Sequence, residues 1–327
     1  MQDGPEGRFY FALHIEMEIK EMSENLLIVK VGSNVLANSD RTRLQFHNFR
    51  NIAEDINSFE AQQDDVQGSQ SDKYEQAHTL LISSGAFLAS RAGGGVTNAH
   101  LEKMDAEERA KYKQQAIGAK EHRILEGAWA DSLTKRSMYS TIGALDLVTQ
   151  SQRDAVARRM YSMLGMGIIG IYNNDDQQSL KELDDVVTLH GERYHIMADN
   201  DYTTLSVARL AMGAGLLGGR GQWLDMEKRH EATVVFLTTT DGVLEDVERA
   251  DSTFETLTTD DARLVAEDSL EHTTSCTSNG GMYSKLTCAA TIADETNARV
   301  VIAGGKGRFA LAKAIAGESG TEIYANQ

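Results

Sequence analysis

Six short runs of the chain are rich in branched aliphatic residues: 26–36 (LLIVKVGSNVL), 78–83 (HTLLIS), 167–172 (GIIGIY), 233–239 (TVVFLTT), 299–303 (RVVIA) and 321–325 (TEIYA). Several are apolar nearly end to end, with no in/out alternation, as strands are when helices cover both faces of a sheet. Longer stretches of helical character separate them, at 44–59, 105–137, 151–164, 202–212, 259–271, 282–297 and 307–316. The alternation predicts an α/β fold, a three-layer αβα sandwich around a mostly parallel central sheet. Ligands are then expected in the crevice outside the carboxyl ends of the strands.

No Pro/Ser-rich linker divides the chain, and its single proline is Pro5, so the loops must turn on Gly, Asn, Asp and Ser. Residues 25–327 are therefore read as one domain preceded by an extension at 1–24, and the polar stretch 60–76 as a solvated excursion between a helix and a strand. A net charge of −17 disfavours nonspecific binding to nucleic acid or anionic lipid. No stretch reaches the ~18 apolar residues of a membrane span, and the N-terminus lacks a signal-like apolar core. The expectation is a cytoplasmic protein that binds small molecules. Cys276 and Cys288 match no zinc spacing and are read as free thiols.

Four polar stretches follow strand candidates directly: KVGSN (30–34), SSGA (83–86), NNDD (173–176) and TTTDG (238–242). Two more, ADNDYTTL (198–205) and SNGGMYSK (278–285), precede or open helices. Each alone is an ordinary turn, but together they gather at the edge where such a sheet presents its site. Gly32 and Gly85 permit close backbone approach, and strand-to-helix turns of this kind form nests for phosphate oxygens. Lys30 is either an edge lysine reaching water or a positive charge in the site. Lys285 lies about one turn inside a helix opened by Gly280 and Gly281, where its ammonium and the helix amides could converge on one anion. Two lysines from distant segments suggest phosphoryl transfer, in which charge must be neutralised from both ends.

Asp175, Asp176, Asp199 and Asp201, with Asn173, Asn174 and Asn200, complement them. They offer oxygen ligands for Mg²⁺ and partners for an amino group or a lysine, while DND is equally an ordinary helix N-cap. GAGLLGG (213–219) satisfies G-x-G-x-x-G but follows a helix, so it is read as a helix end and not a dinucleotide site. No H-E-x-x-H motif and no Ser/His/Asp grouping is visible.

The motif set resembles the amino acid kinase family, and within it the glutamate 5-kinases. VKVGSNVL resembles the family's opening VKLGTSVL, SSGA its second glycine loop, and GIIGIYNNDD the strand and loop ending INEND. ADNDYTTLSVARLA is similar to the DND-LSA-A helix entry, VVFLTTTDGVL to LLTD--GLY, and NGGMYSKLTCAATIA to GTGGM-TKL-AA. The matches run in family order from about residue 25 to 327.

The resemblance implies that Lys30 and Lys285 stabilise the transferring phosphoryl group and that Asp201 holds both lysines. Gly32, Gly280, Gly281, Met282, Thr238, Thr239 and Asp241 would serve the nucleotide. Ser84, Gly85, Asn173, Asp176 and Asn200 would bind the amino acid, Asp176 pairing with its α-ammonium. The amino-acid half would span about 25–215 and the nucleotide half about 216–327. The implied reaction is MgATP plus the γ-carboxylate of L-glutamate giving an acyl phosphate, the first step towards proline, in a homo-oligomer (dimer or tetramer).

Departures from the pattern are Asn174 and Asp175 in the INEND loop, Thr239 in place of the nucleotide-side Asp, an insertion at 215–232, and no RNA-modification-type PUA domain after the kinase segment. Two alternatives are a same-fold kinase for another carboxylate or a phosphate acceptor, towards which Arg91 points, and a catalytically silent nucleotide-binding or storage protein.

Overall fold

A computed structural model describes residues 26–38, 43–64, 77–84, 122–147, 149–174, 186–189, 192–195, 199–212, 232–246, 249, 252–272 and 281–326. Its strands are β1 Leu26–Val31, β2 His78–Ser83, β3 Ser137–Ile142, β4 Ile169–Asn174, β5 Val186–Leu189, β6 Glu192–His195, β7 Thr233–Thr238, β8 Thr256–Thr258, β9 Arg299–Gly304 and β10 Thr321–Tyr324. Among the described residues the helices are α1 Ser33–Leu36, α2 Phe46–Asp64, α3 at 122–130, α4 Gln150–Gly165, α5 Asn200–Ala211, α6 Thr259–His272, α7 Met282–Thr296 and α8 Ala310–Ala316.

Eight of these strands form one sheet in the order β3-β4-β2-β1-β7-β9-β10-β8. From β3 to β9 every pairing is parallel, and β10 returns antiparallel to β9. Strand β1 pairs with β2 on one side and β7 on the other, so the strand order reverses about β1. That reversal opens the crevice in which ligands of open α/β sheets bind. The pairing of β1 with β7 also crosses the expected boundary at 215/216, so the described strands of both halves share one sheet.

Successive strand residues face opposite layers. In β1, Leu26 and Ile28 pack with α4, α5, α6 and α7 in one core, while Leu27, Val29 and Val31 pack with α1, α2, α3 and α8 in the other. Two cores flanking one sheet make the predicted three layers. Lys30 is in phase with Leu26 and Ile28, which turns it towards α5 and α7.

The run 26–36 is not one strand: it ends at Val31, and Ser33–Leu36 is a helical turn. The turn follows Gly32, whose N–H donates to the Leu237 carbonyl (3.0 Å) and where a Cβ would lie 3.1 Å from that oxygen. Val35 and Leu36 are apolar because the turn buries them against α2 and α8. The helix expected over 105–137 is helical at 122–130 and gives way to β3, while 105–121 lies outside the described residues. As an edge strand, β3 fully buries only Ile142, so it lacks the apolar run that marks inner strands.

Residues 60–64 close α2, with buried Glu60 paired to Lys135 at 2.8 Å, and 65–76 lie outside the described residues. The last helix begins at Ala310 instead of 307, because Gly307 (φ 106°) and Phe309 (φ 62°) hold a left-handed turn.

Candidate active site

Lys30 and Lys285 meet on one carboxylate. Lys30 Nζ is ion-paired with Asp201 Oδ1, and Lys285 Nζ lies 3.2 Å from Asp201 Oδ2. All three are buried, with 4, 8 and 1% of their surfaces exposed for Lys30, Lys285 and Asp201 respectively. The Ser284 hydroxyl donates to the same Oδ2 at 2.9 Å. A buried ion pair must recover its desolvation cost through geometry and extra hydrogen bonds, which these four groups supply.

Local sequence accounts for the placement. Asp199 is the N-cap of α5 and accepts from the amides of Asp201 (2.7 Å) and Tyr202 (3.2 Å). The cap fixes the start of α5 and aims Asp201, in its first turn, at β1. Helix α7 opens at Gly281 with no capping side chain, so its first-turn amides keep their anion-binding capacity while Lys285 stands one turn in. The DND segment is thus both a helix cap and part of the cluster.

The electrostatics follow from burial. Burial would raise the Asp201 carboxyl, but Lys285 and Lys30 reverse this and hold it down at about 2. Burial, then the Asp201 charge, pushes Asp199 up to about 6. Burial lowers the Lys30 ammonium more than Asp201 restores it. For Lys285 burial also lowers the pKa, yet Asp201 and Asp199 outweigh it and the net shift is upward. Two ammonium groups thus face one firmly ionised carboxylate and a second that titrates near neutrality, an arrangement suited to holding an anion.

The remaining expected residues divide. Ser84 is buried, and its N–H donates to the Val31 carbonyl at 3.0 Å, so the β2 loop starts beside the end of β1. Its neighbour Ser83 accepts a hydrogen bond from Trp129 Nε1 of α3 at 2.8 Å. Asn200 Oδ1 accepts from the Asn174 amide at 3.0 Å, which ties α5 to the end of β4. That bond fixes the Asn200 side chain with its NH₂ as the group still free to turn outward.

Asn173 is fully buried, and its Oδ1 accepts from the same Asn174 amide at 2.8 Å. By strand alternation it shares the face of Ile169 and Ile171, opposite the Lys30 face, and its Nδ2 has no partner among the described residues. Thr238 ends β7, its carbonyl accepting from the Gly305 amide at 2.8 Å. Thr239 and Asp241 are exposed, and Asp241 Oδ1 sits 2.6 Å from where a Cβ on Gly304 would lie. No hydrogen bond or ion pair joins these three to the lysines among the described residues. Gly32 is at the expected turn, but its own N–H is committed to Leu237, which leaves the amides that follow it as the available donors. Met282 is the first residue of α7.

Gly85, Asp176 and Gly280 lie outside the described residues, as do Arg91, Asp175, Cys276, the GAGLLGG stretch and residues 215–231 of the insertion. Cys288 is a buried free thiol, raised by desolvation, one turn beyond Lys285. Ser284 and Trp129 were not legible as site residues. A serine beside a lysine in a helix carries no pattern, and the partner of Trp129 is far away in sequence.

No protein-family model and no curated protein sequence matches the chain. Solved structures do match, with low identity and high coverage. N-acetylglutamate synthase from Neisseria gonorrhoeae, complexed with coenzyme A and N-acetyl-glutamate, is similar at a TM-score of 0.50 and 14% identity over 99% of this chain. This chain spans 64% of the length of that one. An isopentenyl phosphate kinase substrate complex matches at 0.50 and 13%, covering 91% of this chain and 99% of its own. Carbamate kinase from Giardia lamblia bound to AMP-PNP matches at 0.50 and 13%, covering 93% and 100%. The shared feature is the fold, an amino acid kinase-like αβα sandwich.

Proposed function

We propose that this chain is a phosphotransferase that uses ATP to phosphorylate an oxyanion acceptor, and that the acceptor is the γ-carboxylate of L-glutamate. The observation that carries the reading is Asp201, buried between Lys30 and Lys285 at the carboxyl edge of the sheet. A carboxylate acceptor is already nucleophilic at neutral pH, so the site needs no strong base. Catalysis then rests on positioning and on neutralising the charge of the moving phosphoryl group.

In this reading Lys30 and Lys285 flank the phosphoryl group. Asp201 holds their ammonium groups apart and in place, and Ser284 fixes the carboxylate. The amides opening α7 at Gly281, with the Gly280 segment before it, bind phosphate oxygens as helix N-termini do. Gly32, Thr238, Thr239, Asp241 and Met282 line the nucleotide side. Ser84, Gly85, Asn200 and Asp176 hold the acceptor, with the Asn200 NH₂ donating to one of its oxygens, while Asn173, fully buried on the other face, supports the end of β4.

Mg²⁺ supplies charge neutralisation on the ATP phosphates when bound. Among the described residues no group of three or more His, Cys, Asp or Glu forms a metal site. An ion carried mainly by phosphates and water needs one or two carboxylates, and Asp199 Oδ2 is a buried oxygen with no hydrogen-bond partner among the described residues. The neighbours named above include a carbamate kinase bound to an ATP analogue, which supports nucleotide use in this fold.

The test is ADP release with MgATP across L-glutamate, other amino acids, carbamate and small monophosphates. Glutamate-dependent turnover trapped as the hydroxamate supports the proposal. Turnover with a monophosphate alone transfers the reading to a phosphate acceptor, and ATP binding without any turnover sinks it in favour of a silent binding protein.

A further inference from the structure

We infer a second small-molecule site on the opposite face of the sheet from Lys30, for a ligand that carries an oxyanion and, close to it, a hydrogen-bond donor. A cavity of about 240 Å³ lies between the end of α1, the first turns of α2 and the loop from β9 to α8. Among the described residues its polar lining is Asn38, Gln45, His47, Asn48, Asn51 and Lys306, with no carboxylate, in a chain of net charge −17. It is therefore a locally neutral-to-positive pocket on an acidic protein, and anions are the solutes it favours.

Asn38 Oδ1 accepts from the Arg43 amide at 2.9 Å, and the other polar side chains of the lining form no hydrogen bond to one another among the described residues. Asn48 is only 5% exposed, and its Nδ2 donates to the Val35 carbonyl at 2.6 Å. That bond fixes the amide orientation and leaves Asn48 Oδ1 as an acceptor with no partner among the described residues. That oxygen is reached by solvent and can accept from a donor on the ligand. The side chains of Gln45, His47 and Asn51 form no hydrogen bond within the described structure, and Lys306 forms no ion pair. Lys306 supplies a full positive charge, suited to a carboxylate or phosphate.

The walls are rigid, as a binding site requires. Asp55 accepts from the Leu311 and Ala312 amides at 3.0 and 3.2 Å, tying α2 to the start of α8. The loop between is held by Gly307 and Phe309 in left-handed conformations. Gly305, at its base, is packed so closely on Val35 that a Cβ would lie 2.8 Å from Cγ1. The cavity suits a three- or four-carbon hydroxy or amino acid, or its phosphate counterpart. It does not depend on the kinase reading, since α1 stands between it and Gly32.

Isothermal titration calorimetry and histidine NMR on the full chain test the site, with D-glycerate, L-serine and glycerol 3-phosphate as probes and acetate as the oxyanion-only control. One or more probes should bind more tightly than acetate and shift the His47 ring resonance, assigned through His47→Gln. Lys306→Ala, an exposed position, should weaken binding about tenfold or more, as should Asn51→Leu, which crowds the cavity. Lys285→Ala should leave this binding unchanged even if it abolishes phosphoryl transfer, which separates the two readings. Absence of probe binding at millimolar concentration, or binding that survives both cavity variants, overturns the inference.

Discussion

Lys285 Nζ lies 3.2 Å from Asp201 Oδ2 while Lys30 is ion-paired with the other oxygen of the same carboxylate, so one aspartate sets the separation of two buried cations. Replacing Lys285 with alanine leaves the Lys30–Asp201 pair intact and removes one end of the clamp. Turnover should fall on the order of 10²–10³-fold, mostly in kcat, as when one transition-state donor is lost. Steady-state kinetics beside a thermal melt check this; a fall in kcat of less than about threefold contradicts the clamp.

Asp201→Asn tests the same cluster from the other side. It keeps the volume but leaves two ammonium groups buried against each other with only Asp199 as a counter-charge. Breaking a buried pair by removing one partner costs about 3–5 kcal/mol, so the variant should unfold at markedly lower urea concentration. Lys30→Met combined with Asp201→Leu should recover part of that loss, because only Lys285 then lacks the Asp201 charge, where Asp201→Asn alone leaves both lysines without it.

How much of this was legible in the chain depended on what each residue had to satisfy. Inner strands such as β7 and β9 bury both faces and so declare themselves as apolar runs. Edge strand β3 and the three-residue β8 do not, and both went unread. The lysines were readable because each interrupts or follows a motif-bearing turn. Ser284 was not, since its role exists only where α7 meets α5. Lys30 could be read as a snorkelling residue until strand phase and the position of Asp201 placed it against α5 and α7. The cavity beside Lys306 was silent too, being assembled from three segments with no shared motif.

Asp199 and Asp201 titrate in opposite directions, which gives stability a definite pH profile. Asp201, lowered to about 2 from 3.8, adds stability above pH about 4 that is lost as pH falls towards 2. Asp199, raised from 3.8 to about 6, does the reverse: its contribution is complete below pH about 4 and is lost as pH rises through 6. Asp199→Asn can still cap α5 but cannot ionise. Urea denaturation across pH 4 to 7 should show a downward slope in the wild type that flattens in the variant. An unchanged slope assigns the titration elsewhere.

Trp129 makes a prediction at the floor of the β2 loop. Its indole N–H donates to Ser83 Oγ at 2.8 Å, and its ring meets Phe49 at 4.8 Å between centroids, edge to face. Trp129→Phe keeps an aromatic ring but removes the hydrogen bond and some packing, costing about 1–3 kcal/mol. Because Ser84 follows directly, the variant should raise KM for the acceptor more than KM for ATP. Equal changes in both would show that the bond supports the fold without positioning the loop.

Gly305 couples the ends of β7 and β9 to α1. A Cβ there would lie 2.8 Å from Cγ1 of Val35 in α1 and 2.9 Å from Cβ of Leu237 in β7, two residues packed in the same core. The Gly305 amide also donates to the Thr238 carbonyl, and the Leu237 carbonyl receives the Gly32 amide, so displacement at Gly305 is felt at the turn that follows Lys30. Gly305→Ala must push α1 outward or shift β9, at about 1–3 kcal/mol for overpacking. The expected result is a lower melting temperature together with a raised KM for ATP. Val35→Ala in the same chain opens space for the methyl group and should restore the nucleotide KM more fully than the stability, because the smaller side chain at 35 itself leaves a cavity. If the double variant binds ATP no better than Gly305→Ala alone, the strain at Gly305 does not reach Gly32 through α1.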